Sequence, residues 1–214
     1  MLLLYCVTES GPPLTASPTG VQGVSVESVE QSGLRFFYSS LEKLNADPES
    51  LKRNALDFHR VTRELFQQVA IIPFRFPTTL PTMAEVDAYI RDHTTQYLAA
   101  LQDFRHQVQM EIRLRLPQAP ATRDGATGTD YLQTRAQRAR QAEQTIAACR
   151  VAINHEVIDW HQRDSAYGVR CFVLIRREAV GRFQQQIKQA RLPEAATAAI
   201  SGPWPPTEFF PVFA

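Results

Sequence analysis

Apolar and polar positions fall into stretches of two periods, and the switches between them mark the elements of the chain. Met1-Leu2-Leu3-Leu4-Tyr5-Cys6-Val7 is an unbroken apolar run that stops at Thr8-Glu9. With no Lys or Arg before it and too little length for the apolar core of a secretory leader, it reads as a first β-strand. Gly11-Pro12-Pro13 and Ser17-Pro18-Thr19-Gly20 bracket a stretch without periodicity, expected as a mobile surface loop. Val24 to Val29 alternates apolar with polar, and Gln31-Ser32-Gly33 separates it from the β-rich Leu34 to Tyr38, which predicts a hairpin. Asp47-Pro48-Glu49 supplies a capping oxygen, a proline suited to the first helical turn and an acid facing the positive end of the helix dipole. The helix that starts there carries Leu51, Ala55, Phe58, Thr62, Leu65, Phe66 and Val69 on its apolar period, and Pro73 stops it. Phe74-Arg75-Phe76 reads as strand or extended chain. Thr82-Met83-Ala84-Glu85 has capping-box spacing ahead of Val86, Ile90, His93, Tyr97, Leu98 and Leu101, a second helix.

From Val108 to Leu116 the alternation is strict and ends at Pro117, which predicts a strand. Ala119 to Gly128 is rich in Pro, Ala, Thr and Gly, and the run from Thr129 to about Asp164 contains neither proline nor glycine, so a long helix is expected there. Leu132, Ala139, Ile146, Ile153 and Trp160 recur every seven residues along it, while Glu143 and Arg150 interrupt the second seam position of a coiled coil. Val169 to Ile175 is mostly apolar and predicts a central strand; Val180, Phe183, Ile187 and Ala190 mark a further helix; Ala195 to Ile200 predicts a last strand. Ser201-Gly202-Pro203-Trp204-Pro205-Pro206 follows as a proline-locked aromatic arm, and the chain closes on Phe209-Phe210-Pro211-Val212-Phe213-Ala214. Strands and helices mix in two blocks that part near Phe104. The expectation is an α+β fold with domains over residues 1–104 and 105–200 and a Pro/aromatic tail over 201–214.

Composition narrows the class. The chain has 214 residues, 44% hydrophobic and 21% charged, an ordinary folded mix. A net charge of +1 lacks the broad basic excess of a phosphate-backbone binder, which argues against nucleic acid as a partner. Cys6, Cys149 and Cys171 are odd in number, far apart and never in a C-x-x-C arrangement, so neither a disulfide framework nor a zinc site is suggested and a reducing cytoplasm fits. No stretch has the 18 or so uninterrupted apolar residues of a membrane span.

Reactive constellations are few in the sequence. His155-Glu156 begins like a zinc-protease helix, but position five is Asp159 and His161 is six residues from His155; His155 and Asp159 are instead expected as helix neighbours forming a solvated pair. Gly125-Ala126-Thr127-Gly128 lacks the ending of a phosphate loop, and Ala199 stands where a nucleophile elbow at Ser201 needs glycine. His59, beside Phe58, is an acid-base candidate or a half-buried histidine on a backbone carbonyl. Arg75 is expected on the opposite strand face from Phe74 and Phe76, as an anion anchor or a structural fork. The arginines from Arg135 to Arg150 read as a solvated face.

Two segments are more specific. Phe58-His59-Arg60-Val61, followed by Ile71-Ile72-Pro73-Phe74-Arg75-Phe76-Pro77-Thr78, resembles the helix-to-strand signature of the gas vesicle protein F/L family (GvpF/GvpL), and Ser201-Gly202-Pro203-Trp204-Pro205-Pro206 resembles its closing signature. Gly128-Thr129-Asp130-Tyr131-Leu132 with Arg135, and Phe172-Val173-Leu174 with Phe183, are similar to weaker middle blocks. The likeness runs from the first strand to about Pro206. Pro77 stands where the family commonly has glycine, and Thr207-Glu208 intervene before Phe209. The resemblance implies an accessory protein of gas vesicles, hollow protein-walled organelles, with an N-terminal α+β domain and a C-terminal modified ferredoxin-like domain carrying the extended helix. It implies no catalysis, cofactor or metal. The expected partners are the hydrophobic shell subunit and other gas vesicle accessory proteins, and the motif residues His59, Pro73, Arg75, Phe76, Gly202, Pro203, Trp204, Pro205 and Pro206 are the expected interaction set. Trp204 and the terminal phenylalanines are expected at an interface, either with shell protein or with the N-terminal domain. Two rival readings remain: a ferredoxin-like ligand-sensing or regulatory module, and an enzyme in which His59 and Arg75 converge in one cleft.

Overall fold

In a computed structural model that describes residues 1–11, 14–116, 128–165, 168–193 and 196–210, the opening apolar run forms strand β1 (Leu2–Glu9), buried from Leu2 to Thr8. Its lack of alternation has a simple cause: β1 is central in its sheet, with a helix packed on each face. The hairpin follows as β2 (Glu27–Gln31) and β3 (Leu34–Ser40), with Ser32 and Gly33 both at positive φ, the twist that a two-residue hairpin turn needs. Strand β2 starts three residues later than the alternation suggests, because Ser25 pairs with Thr19 in an isolated bridge. The stretch expected as a mobile loop is instead tied to a helix: Gln68 accepts from the Thr15 amide at 3.1 Å and donates to the Ala16 carbonyl at 3.2 Å, and Arg60 donates to the Thr19 carbonyl at 2.8 Å. Pro12 and Pro13 lie outside the described residues.

Helix α1 (Pro48–Gln68) begins where its signals place it, with the Asp47 side chain accepting the Ser50 amide at 2.9 Å. Strands β4 (Ile72–Pro73) and β5 (Thr79–Leu80) both pair antiparallel with β1. Helix α2 (Met83–Phe104) is capped by Thr82, which accepts the Glu85 amide at 3.3 Å; Glu85 in return accepts from the Thr82 hydroxyl rather than from its backbone. The sheet order is β2-β3-β1-β4 with β5 also on β1. One face packs Leu2, Leu4, Val7, Phe36 and Tyr38 against Val86, Ile90, Tyr97 and Leu101 of α2; on the other, Tyr5 stacks on Phe58 of α1 at 5.2 Å between centroids.

The second half comprises β6 (Gln107–Arg115), α3 (Gly128–Ile153), β7 (Val157–Ser165), β8 (Gly168–Arg176), α4 (Val180–Gln189) and β9 (Thr197–Trp204). Its sheet has the order β7-β8-β6-β9, antiparallel across β7-β8 and β8-β6. Val108, Met110, Ile112 and Leu114 share a face with Val169, Cys171, Val173 and Ile175, all buried, on the side of the buried Ile146, Cys149, Ile153, Phe183 and Ile187. The chain thus divides into two compact α+β units, Met1–His106 with Trp204–Ala214, and Gln107–Pro203.

Four expectations fail here. The long helix stops at Ile153 rather than near Asp164, and Val157–Ser165 pairs with β8 as a strand, bulged between Val157 and Asp159. Valine, isoleucine and tryptophan near its start favour a pleated surface, and the β8 ladder supplies backbone partners that a fraying helix end lacks. The seven-residue stripe is therefore not one seam: Ile146 and Ile153 are buried, Leu132 and Ala139 are exposed, and Trp160 belongs to a strand. His155 lies in the turn after α3, so it is not a helix neighbour of Asp159; Asp159 instead faces His161 at 3.7 Å. Finally, Ser201–Trp204 is not a separate arm but the end of β9, and Trp204 onward belongs to the first unit. Of the stretch from Ala119 to Gly128, residues 119–127 lie outside the described residues, as do Ala195, Val212 and Phe213.

Candidate functional site

The first motif segment is built on the end of α1 and the short strands that return to β1. Pro73 sits in β4 opposite Cys6, and the Phe74 amide donates to the Tyr5 carbonyl at 2.9 Å. Beyond Pro73 the chain leaves strand geometry, so the period of two no longer governs it, and the two flanking rings diverge. Phe74 packs with Phe36, Tyr89 and Tyr97 at 6.0 to 6.3 Å, whereas Phe76 meets Phe58 at 5.4 Å. The expectation that both rings share one face opposite Arg75 is thereby corrected. Arg75 is exposed; its carbonyl accepts the Thr78 hydroxyl at 2.7 Å, and the Phe76–Pro77 peptide is cis. His59 is exposed on α1, edge-on to Phe58 at 6.2 Å, not half-buried on a carbonyl. Among the described residues His59 and Arg75 share no hydrogen bond, so the acid and the anion anchor of the enzymatic reading are not assembled as a pair.

The closing segment turns sharply. Gly202 has φ +113°, a conformation open to its missing Cβ, and the Gly202–Pro203 peptide is cis. Trp204 and Pro205 are half-buried and Pro206 is buried. The Thr207 amide donates to the Pro205 carbonyl at 2.8 Å and the Phe209 amide to the Pro206 carbonyl at 3.0 Å, coiling the chain so that Phe210 meets Phe104 edge-on at 5.2 Å. Pro206 and Phe210 close a cleft lined by Phe66, Ile71, Ile72 and Leu101 that has no room for a water molecule. Ile72 of the first motif segment and Pro206 of the second, more than a hundred residues apart in sequence, therefore line the same cleft of the first unit. Pro73 and Phe76 take part in packing nearby; His59 and Arg75 stay at the surface.

Reactive chemistry is sparse. Cys6, Cys149 and Cys171 are free and buried; burial pushes the Cys149 thiol up to about 11 and that of Cys171 up to about 12, with Cys6 higher still. Such thiols carry almost no thiolate near neutrality. Among the described residues no group of three or more His, Cys, Asp or Glu side chains is placed to hold a metal, and no helix is long and apolar enough to cross a membrane.

Two constellations escaped the sequence reading. At the β1 bulge, the Tyr5 hydroxyl joins Ser39 at 3.0 Å and the Val21 amide at 2.8 Å. On β6, Glu111 is only 5% exposed although strict alternation assigned it to the polar face. Burial raises the Glu111 carboxyl, but Arg113 and Arg170, with hydrogen bonds at 2.8 and 2.6 Å, outweigh it and hold the group below its ordinary value. Arg113 was visible as an i, i+2 neighbour; Arg170, 59 residues away, carried no local signal.

Comparison with known proteins adds a third line. Residues 1–211 match the model of the family described as gas vesicle synthesis protein GvpL/GvpF. No curated protein sequence matches. The fold is similar to the crystal structure of the gas vesicle protein GvpF from Anabaena sp. PCC7120, with a TM-score of 0.84 at 14% identity over 100% of this chain and 97% of that one. It is also similar to GvpF from Microcystis aeruginosa, with a TM-score of 0.78 at 17% identity and 99% of each chain covered. At these identities the structural likeness speaks for the fold alone.

Proposed function

The chain belongs to the GvpL/GvpF family of gas vesicle proteins, and from that premise we propose that it is a non-enzymatic accessory or minor structural protein that binds the hydrophobic shell subunit and other accessory proteins while the vesicle wall is assembled in the cytoplasm. In this reading residues 1–104 are an α+β domain and 105–200 a modified ferredoxin-like domain. The strand-helix-strand-strand-helix-strand order of β6 to β9 and the sheet order β7-β8-β6-β9 support the latter. A very apolar shell subunit would aggregate before joining a wall, and a protein that covers part of its surface would prevent that.

The observation that carries the reading is that the family match spans residues 1–211 while Pro73 pairs with β1, Phe76 and Pro206 serve packing, and His59 and Arg75 are exposed with no hydrogen bond between them among the described residues. An apolar subunit then needs a different surface. The α3–α4 groove supports this: it is an open groove of about 460 Å³ in which Ala148, Val151, Ala152 and Ala190 lie beside Gln186, Gln189 and Arg191, and Val151 is 80% exposed. Trp204 and Phe210, in contrast, are best read as holding the first unit together.

The test is co-expression with a gas vesicle shell protein. The expected result is shell protein retained in the soluble fraction and co-purifying with this chain, with retention reduced by Val151→Asp and unchanged by Trp204→Ala variants that still fold. Shell protein that stays insoluble in the presence of the folded chain, and never co-purifies, would overturn the reading.

A further inference from the structure

The register of the second sheet places three arginines side by side, one per strand: Arg113 of β6 lies opposite Arg170 of β8, which lies opposite Arg163 of β7. All three side chains leave the same face. Glu111 is shared by Arg113 and Arg170, and the Phe172 ring lies beneath both Arg170, at 5.1 Å, and Arg163, at 5.8 Å. Like charges directly opposite on neighbouring strands destabilise a sheet, so a row of three is not what packing alone selects. Arg115, two residues along β6, adds a fourth exposed guanidinium at the same end of the sheet.

The details show how the row is held ready. Among the described residues Arg170 meets Glu111 through its Nε, which leaves Nη1 and Nη2 to donate from a side chain that is 44% exposed; Arg113 is 60% exposed. Glu111 is nearly buried, with the Ser201 hydroxyl at 3.4 Å from its other oxygen, so one carboxylate orients both guanidiniums and offsets only one of their two positive charges. The Phe172 ring restrains Arg170 and Arg163 from below. Planar forks fixed in this way match carboxylates in two-point contacts, the arrangement Arg113 already makes with Glu111. Neighbouring strands are about 4.8 Å apart, so the row spans roughly 10 Å and suits two or three carboxylates spaced along a peptide. A polynucleotide is disfavoured, because the whole chain has a net charge of only +1 and this row is short.

We propose that the Arg113–Arg170–Arg163 row is a docking surface for an acidic polypeptide segment of a partner protein, distinct from the α3–α4 groove. The inference extends the assembly reading and rests on it for the partner being a gas vesicle protein, but not for the chemistry of the contact.

Fluorescence anisotropy tests it with a fluorescein-labelled decapeptide of alternating Glu and Ser, its Gln-for-Glu counterpart, and a single-stranded oligonucleotide of equal charge, all at low salt. The Glu peptide is expected to bind, to weaken with added salt, and to weaken at least about tenfold in the Arg113→Gln, Arg163→Gln double variant, while Arg135→Gln, Arg140→Gln on α3 changes little. Arg163→Gln alone leaves the Glu111 pairs intact, guards against misfolding, and is expected to weaken binding in the same direction. Equal binding of the Gln peptide, tighter binding of the oligonucleotide, no binding at all, or an equal loss in the α3 control would overturn the inference. Loss of peptide binding with shell-protein capture intact would fall on this proposal's side alone; lost capture with intact peptide binding would fall on the assembly reading.

Discussion

Tyr5→Phe isolates one oxygen at the centre of the first unit. Tyr5 is fully buried at the β1 bulge, and Ser39, equally buried, donates its only hydroxyl proton to the Ser25 carbonyl at 2.9 Å. The Tyr5 hydroxyl must therefore donate to Ser39 Oγ and accept the Val21 amide at 2.8 Å. Burial raises the phenol, which keeps it a donor near neutrality. Phenylalanine retains the ring stack on Phe58 and removes only the oxygen. Ser39 keeps its bond to Ser25, but the Val21 amide, 0% exposed, loses its acceptor. Leaving one buried donor unsatisfied costs about 1–3 kcal/mol; removal of the hydroxyl's own desolvation offsets part, so about 1–2 kcal/mol is expected. Urea unfolding of the first unit reads the total, and hydrogen exchange at the Val21 amide reads the location, with an acceleration of roughly 5- to 30-fold for that free energy. Gly20→Ala probes the same spot from the other side: a Cβ there would lie 2.6 Å from the Tyr5 hydroxyl and 2.7 Å from the Val24 carbonyl. The double variant is expected to cost less than the two single costs added, because the lost hydroxyl relieves one clash. Unchanged urea midpoint together with unchanged Val21 exchange would refute the assignment of this hydroxyl as the pin between β1 and the Thr19–Ser25 turn.

Three further outcomes follow from other regions. Phe210→Ala removes the ring that closes the dry cleft against Phe104 and is expected to lower the stability of the first unit by about 1–2 kcal/mol in urea; a smaller change than 0.3 kcal/mol, read as about no change, would mean that the terminal segment does not serve the fold. An aromatic disulfide reagent at pH 8 is expected to label Cys6, Cys149 and Cys171 only after unfolding, since burial holds all three as thiols; rapid labelling of the folded protein would contradict that burial. Because Glu111 is held below its ordinary value, its ion pairs contribute above an unfolded value of about 4.3 and are lost as pH falls through the lower folded one. The stability difference between the wild type and Glu111→Gln, about 1–2 kcal/mol at neutral pH after allowing for the exposed arginine partners, is therefore expected to shrink below about pH 4, and a difference independent of pH would count against the assignment.

The legible parts of the fold are those whose cause is local. Asp47 caps α1 and Thr82 caps α2 because each cap is a contact within three residues, and Ser32-Gly33 makes the hairpin turn because backbone conformation at two residues suffices. The candidate site was legible as a set of motif residues but not as an arrangement. Phe76 reaches Phe58 only because the chain leaves strand geometry after Pro73, and Phe210 reaches the cleft that Ile72 lines only through the turn at Thr207–Phe209. Glu111 looked solvent-facing because alternation records which side of a strand a residue takes, not what lies over that side.

By itself, then, the chain's pattern determined where α1 and α2 begin, where β1, β3, β6 and β8 run, and that no familiar reactive motif is present. Tertiary structure decided that α3 ends at Ile153 and that Val157–Ser165 is an edge strand, that the Pro-Trp segment closes β9, and that three arginines stand abreast, two of them on one buried carboxylate. The physical reason is range. Caps, turns and periodicity are settled among neighbours in sequence, whereas a strand exists only beside another strand, and a charge is buried only when a distant residue arrives to compensate it.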